Sequence, residues 1–276
     1  MRSLKYNKQD YHRDCKIIKL TRVLTQINSA NALIVGASQG IGLGFVRSLL
    51  QQNHFSNIYA TYRNRETAAE LFKLEQQYGD RLTCLQVDIT IESDIAAAVK
   101  QIQDSVKQLH LAIYCVGVLH GENFAPEKSL RQIDPEKLIY SFQVNSIGAV
   151  LLAKHLMSLF KKSEYSIFAS ISAKVGSIGD HRLGGWYGYR ASKAALNMFL
   201  KTTAIEYSRR CPKTIVVALH PGTTDTKLSQ PFQKNVPPEK LFPVEKTVNL
   251  LSQVISDLSI KNSGEFFSWD GTQLPW

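Results

Sequence analysis

The sequence predicts an α/β fold: a doubly wound parallel sheet, in a single domain, with helices on both faces. Three observations predict it. Short continuous apolar runs alternate with longer amphipathic stretches along residues 30–276. The first run, Ala32, Leu33, Ile34 and Val35, has no polar alternation, so it reads as a strand buried on both faces. It stops at Gly36, and glycines at 36, 40 and 42 then lead into a helix-like segment.

That glycine spacing serves a sharp turn out of the strand that also brings bare backbone close to a bulky anion, where a Cβ would obstruct both. The helix that follows, Ile41 to about Gln52, points free N–H groups and a positive dipole end at a phosphate, worth up to ~2 kcal/mol. Gly36, Ser38, Gln39, Gly40, Ile41 and Gly42 are therefore the candidate pyrophosphate cradle, although three glycines in seven residues also suit an ordinary loop. Ile58–Tyr62 reads as the second strand and 66–77 as a helix. Leu82–Val87 is the third strand, and 94–108 a helix with Ile95, Val99, Ile102 and Val106 on one face. Leu111–Val116 is the fourth strand. Asp134 and Pro135 open a long helix running to Phe160, and Ser166–Ile171 is the fifth strand. A second long helix covers 186–209, Thr214–Leu219 is strand six, 244–258 a further helix, and 265–268 a last short strand. Strands alternating with helices of this length imply right-handed crossovers and a covered parallel sheet, a Rossmann-like fold.

Composition narrows the partners. The net charge is +10, but residues 1–29 carry seven Lys/Arg against two Asp, so half the excess sits in a basic extension ahead of the first strand. The rest is spread without a basic block or interleaved aromatics, which argues for a solvated surface and against nucleic acid. Within the extension Ile17, Leu20, Leu24 and Ile27 recur at helical spacing, compatible with an amphipathic surface helix, a targeting segment or a disordered leader. Cys15, Cys84, Cys115 and Cys211 are far apart with no metal-ligand spacing, so reduced thiols in a cytoplasmic setting are expected and no metal. No apolar stretch approaches a membrane span. The proline-containing stretch from Pro231 to Pro243 reads as a long functional loop rather than a linker.

In a fold of this kind the end of the second strand faces the adenosine ribose, where a carboxylate marks NAD. Here the residues are Thr61, Tyr62, Arg63, Asn64 and Arg65, with no acid before Glu66. Arg63 suits a ribose 2′-phosphate, and a charge-assisted contact of roughly 1.5–3 kcal/mol favours NADP(H) over NAD(H). Asp88, at the end of the third strand, serves equally as a turn cap or as an adenine partner.

Tyr189 and Lys193 lie four residues apart at the start of the helix after strand five, on one helical face. A phenol has an unperturbed pKa of ~10, and an adjacent ammonium draws it toward working pH, which makes it a general acid-base. Of the tyrosines, this one alone has a lysine four residues on, and it sits beyond a strand's carboxyl edge, where open α/β sheets bind ligands.

With GASQGIG, the Asn145 of VNSIG, YRASK, and His220-Pro221-Gly222 in this order and at these separations, the chain resembles the short-chain dehydrogenase/reductase family over about residues 30–276. SAKVGSI, GGWYGYRASKAALN and FFSWDG are similar to a subgroup of C-factor-like signalling proteins and carbonyl reductases. The resemblance implies hydride transfer between a nicotinamide and a small carbonyl or secondary alcohol substrate. Tyr189 then exchanges the proton, Lys193 holds the nicotinamide ribose, Asn145 supports a water relay to that lysine, and Pro221, Gly222 and Thr226 meet the nicotinamide end. It also implies a homodimer or homotetramer paired through the two long helices. Two departures stand out. The family's NNAG appears as Tyr114, Cys115, Val116, Gly117, so only Gly117 survives and support for the local sheet is expected to weaken. The substrate-polarising serine, expected three residues before Gly176, is Ala173, which leaves Ser172 as the candidate, with Ser177 or Tyr187 as substitutes. Between serine and tyrosine, the 177–186 insertion with His181 and Trp186 is expected to border the substrate mouth, and Phe232 and Phe242 to belong to a lid.

Overall fold

The computed structural model describes residue 27, residues 29–121 and residues 124–276. Apart from Ile27, which packs on the core, the amphipathic run expected in the basic extension lies outside the described residues. Seven parallel strands form one sheet in the order β3-β2-β1-β4-β5-β6-β9. They are β1 Ala30–Val35, β2 Phe55–Tyr62, β3 Leu82–Gln86, β4 Leu111–Tyr114, β5 Ser166–Ile171, β6 Thr214–His220 and β9 Glu265–Ser268. The remaining two, β7 Thr223–Thr224 and β8 Leu241–Phe242, pair in parallel within the loop after β6 and close it into a compact flap. The expected Rossmann-like architecture is the one observed.

Alternation along the buried strands sorts the core into two layers. Ile34, Ile58, Ile113 and Ile167 face α1 (Gly40–Leu50) and α7 (Val244–Asp257), where Phe45, Leu49, Leu251 and Ile255 pack on them. Leu33, Val35, Ala112 and Phe168 face the other way, against α3 (Glu92–Ser105), α5 (Gly148–Phe160) and α6 (Tyr187–Arg210). Each strand is thus apolar on both sides, which is why the runs read as continuous rather than alternating. The short α2 (Ala69–Tyr78) lies between β2 and β3, starting later than the sequence suggests because a 3-10 turn, Arg65–Thr67, precedes it.

The helix expected over 135–160 is interrupted. α4 (Pro135–Phe142) begins where Asp134 accepts from the backbone N–H groups of Glu136 and Lys137, as a capping residue before proline should. It then passes through a π-turn, Gln143–Ile147, before α5. The wider turn frees carbonyl groups, and the buried Tyr114 hydroxyl donates to Val144 O at 2.7 Å. Tyr114 thereby ties β4 to the π-turn at a position where the family's pattern is lost. β1 and β4 are neighbours, and the chain leaves them toward opposite edges of the sheet, so a crevice opens at their carboxyl ends.

Candidate active site

A cleft of about 770 Å³ occupies that crevice. Of the sequence-selected residues, Gly36, Ser38, Gln39, Gly40, Ile41, Gly42, Arg63, Gly117, Ser172, Tyr189, Lys193, Pro221, Gly222 and Thr226 line it together. Asn145 lies just behind the wall, and Asp88 lines a separate polar depression beside Arg63.

At the first strand's exit, Gly36 and Gly40 hold φ of +82° and +55°, values that L side chains rarely adopt. A Cβ on Gly42 would lie 2.2 Å from Gly36 O, so the first turn of α1 presses directly on the strand it leaves. No side chain caps the start of α1 and no acid lies in its first turn, which leaves its N–H groups free for an anion. These features fit a dinucleotide pyrophosphate. Thr226 stands over this turn, its methyl 3.2 Å from where a Gly40 Cβ would be. Arg63 leaves the end of β2 without a carboxylate partner among the described residues, and its Nη1 donates to the Tyr140 hydroxyl at 3.2 Å. Asp88 Oδ1 accepts from the backbone N–H and hydroxyl of Thr90, so that oxygen serves as the turn cap.

At the other end of the cleft, Asn145 is fully buried and spends its amide on three partners. Its Oδ1 accepts from Val118 N at 2.7 Å, and its Nδ2 donates to Val118 O and to Ser192 Oγ. It thereby ties the loop after β4 to α6, one residue before Lys193. Lys193 is 2% exposed and donates to Ile171 O at 2.9 Å. Its Nζ lies 5.9 Å from the Tyr189 ring centroid. Burial draws the ammonium down to about 8, opposed by the Cys115 thiol beside it, and pushes the Tyr189 phenol up to about 12. Desolvation of the buried ring is the cause of the raised phenol in the protein alone.

Ser172 lines the cleft at the end of β5. Its hydroxyl donates to Asn197 Oδ1 at 2.6 Å, in the packing between β5 and α6, because strand alternation puts it on the same face as Ser170. The proton that would polarise a substrate is already committed. Ser177 and Tyr187 lie outside the cleft lining, and Ser177 Oγ accepts from Asp180 N. Ala173 occupies the position itself. Gly176 permits the close approach of this segment to α6, since a Cβ there would lie 2.8 Å from Lys193 Cβ.

Above Tyr189 stands an aromatic wall. Trp186 packs edge-on against Tyr189 at 6.2 Å and Phe232 at 4.9 Å, and Phe232 meets His120 at 5.8 Å. Phe232 lines the cleft, whereas Phe242 is buried against Trp269 and anchors the flap rather than covering the site. His181 stays on the exposed loop, where its Nδ1 lies 3.3 Å from Arg190 Nη1. Trp186 has φ of +54°, the single non-glycine at positive φ among the described residues. Glu127 holds it there: its carbonyl accepts from Trp186 N and its carboxylate from Gly188 N at 3.1 Å. Sequence reasoning missed Glu127, Tyr140 and Asn197, since nothing local marks a residue whose role is to meet a segment 20 to 80 positions away.

A doubly wound sheet with a glycine turn, an uncapped helix start and a Tyr-Lys pair around one crevice defines an α/β oxidoreductase of the dinucleotide-binding kind. The chain belongs to the short-chain dehydrogenase family, whose sequence pattern matches residues 30–237. It is 31% identical over 219 residues to the benzil reductase ((S)-benzoin forming) of Saccharomyces cerevisiae, covering 76% of this chain and 78% of that one. It is also 28% identical over 148 residues to the C-signal of Myxococcus xanthus, covering 54% of this chain and 84% of that protein. Among solved structures, the NADPH-bound carbonyl reductase from chicken fatty liver superposes with a TM-score of 0.81 at 28% identity, over 90% of this chain and all of that one. Among the described residues no helix is long and apolar enough to cross a membrane, and no cluster of metal-ligating side chains occurs.

Proposed function

We propose that the protein is an NADP(H)-dependent carbonyl reductase in which Tyr189 delivers a proton to the substrate oxygen. The observation that carries this reading is that Tyr189 and Lys193 line the same cleft as the glycine turn. A bound nicotinamide supplies the hydride to the carbonyl carbon, and the proton from Tyr189 completes the alcohol. Lys193, already directed into the cleft wall, holds the ribose beside it, and Arg63 favours the 2′-phosphate. Gly117, Pro221 and Gly222 give the backbone room along the same path. The Tyr189 phenol, raised by burial, carries its proton at neutral pH and can give it to the substrate oxygen in reduction. The Trp186 and Phe232 wall supports a substrate with a planar apolar group, in keeping with the name of the yeast relative.

Incubating the purified protein with NADPH and a panel of aldehydes, aryl ketones, diketones and quinones tests the reading; the expected result is NADPH consumption that Tyr189→Phe lowers by about 10²–10⁴-fold. A second reading, a nucleotide-binding signalling protein with weak catalysis, draws on one observation: Ala173 and the committed Ser172 leave the cleft without the side-chain hydroxyl expected there. Tight NADPH binding without turnover on any carbonyl is the outcome that favours it. Self-pairing through α4–α5 and α6 is supported by exposed Ile147, Met198 and Ile205, and sedimentation of the purified chain measures it.

A further inference from the structure

The geometry points to Tyr140 as a second cofactor-discriminating residue, forming with Arg63 a pair of donors for a phosphate monoester on the adenosine ribose. The inference rests on the reading of the cleft as an NADP(H) site. Arg63 comes from the end of β2 and Tyr140 from α4, two walls of the cleft joined by the 3.2 Å bond from Arg63 Nη1 to the Tyr140 oxygen. Because that oxygen accepts, the phenol's own proton is left to donate, and no described residue takes it. A guanidinium bonded to the oxygen also polarises the O–H and makes it a stronger donor. Both groups are held in place. Arg63 O accepts from Gln86 Nε2 at 3.2 Å, and the Tyr140 ring packs edge-on against Phe124 at 6.1 Å.

The chemistry of the pair selects its ligand. A ribose 2′-hydroxyl is recognised by an acceptor, commonly a carboxylate, and here Asp88, which lines the depression beside Arg63, has turned one oxygen to Thr90. Two donors, one of them a cation outside every ion pair among the described residues, suit a dianion with three free oxygens. Tyr140 then contributes to the discrimination between NADP(H) and NAD(H), not to binding of the common part of the dinucleotide.

Calorimetric titration of the full chain with NADPH, NADH, adenosine 2′,5′-bisphosphate and AMP tests this on wild type, Tyr140→Phe and Arg63→Gln. Wild type is expected to bind NADPH at least tenfold more tightly than NADH, and the bisphosphate more tightly than AMP. Tyr140→Phe should weaken NADPH and the bisphosphate by about three- to tenfold while leaving NADH and AMP within twofold, as expected for one lost hydrogen bond. Arg63→Gln should cost more, with the same selectivity. Equal weakening of all four ligands by Tyr140→Phe, or no change in any, overturns the role of Tyr140 while the cofactor reading stands. A wild type that binds NADH as tightly as NADPH overturns the cofactor preference and this inference together. Unfolding midpoints within about 2 °C of wild type confirm that each variant is folded.

Discussion

At the scale of single residues, the cleft is governed by where each polar proton is already spent. Ser172 gives its proton to Asn197, so Ser172→Ala should act on stability, costing about 1–3 kcal/mol by leaving a buried amide oxygen unpaired. Its kcat should change little, which steady-state kinetics and thermal unfolding of the same preparation would separate. Conversely, Ala173→Ser places a hydroxyl at the position that lacks one, and kcat should rise, by analogy with oxyanion donors worth ~10²–10³ when removed. A fall in kcat for that variant would contradict the reading of Ala173 as the open position. His220 supplies a pH signature. Burial first, and the Lys174 ammonium next, draw its imidazole from 6.5 down to about 4, and its Nδ1 accepts from Lys174 N. The folded state therefore refuses a proton that the unfolded chain accepts near 6.5, so this contribution to stability is complete above 6.5 and is lost as pH falls toward 4. Denaturant titrations across that window should show a slope that His220→Asn flattens.

At the scale of elements, three helix starts serve the cleft. α1 keeps its N-terminus free, and the missing cap is the feature that suits an anion. α4 carries its own cap in Asp134 and runs into the π-turn that delivers Asn145 between the β4 loop and Ser192. Such turns interrupt helices most often where a side chain is needed at an angle a regular helix does not offer. α6 has no cap of its own, and Glu127, 61 residues upstream of Gly188, provides one from a different loop. A strained Trp186 at φ +54° persists because that loop over-determines it. Glu127→Ala should lower stability by about 1–2 kcal/mol through the lost cap and reduce turnover by loosening Tyr189, the residue after Gly188. Unaltered kinetics in that variant would mean that α6 sets Tyr189 without help.

At the scale of the whole molecule, the crevice between β1 and β4 is a consequence of strand order, and a ligand bound there reports on the intact fold. NADPH at a hundred times its Kd should add about 2.7 kcal/mol to the stability of the native state, seen as a raised Tm. Gly42→Ala should abolish that shift, because a methyl 2.2 Å from Gly36 O forces apart the turn that forms the cradle. Much of this was legible from the chain itself. Buried strands announce themselves as apolar runs, Gly36, Gly40 and Gly42 mark a turn by composition alone, and Tyr189 and Lys193 share a face by helical geometry. Those properties are local, determined by side-chain volume, backbone freedom and periodicity over a few residues, so the order of residues was sufficient for the α/β class, the element order and the principal contents of the cleft. What remained belongs to distance in space. The commitment of Ser172 to Asn197, the bond from Tyr114 to the Val144 carbonyl, the capping of α6 by Glu127 and the meeting of Arg63 with Tyr140 are contacts between separate segments. The tertiary structure alone decided them, because a hydrogen bond depends on orientation at about 3 Å, and only packing of the whole sheet and its helices brings such partners that close.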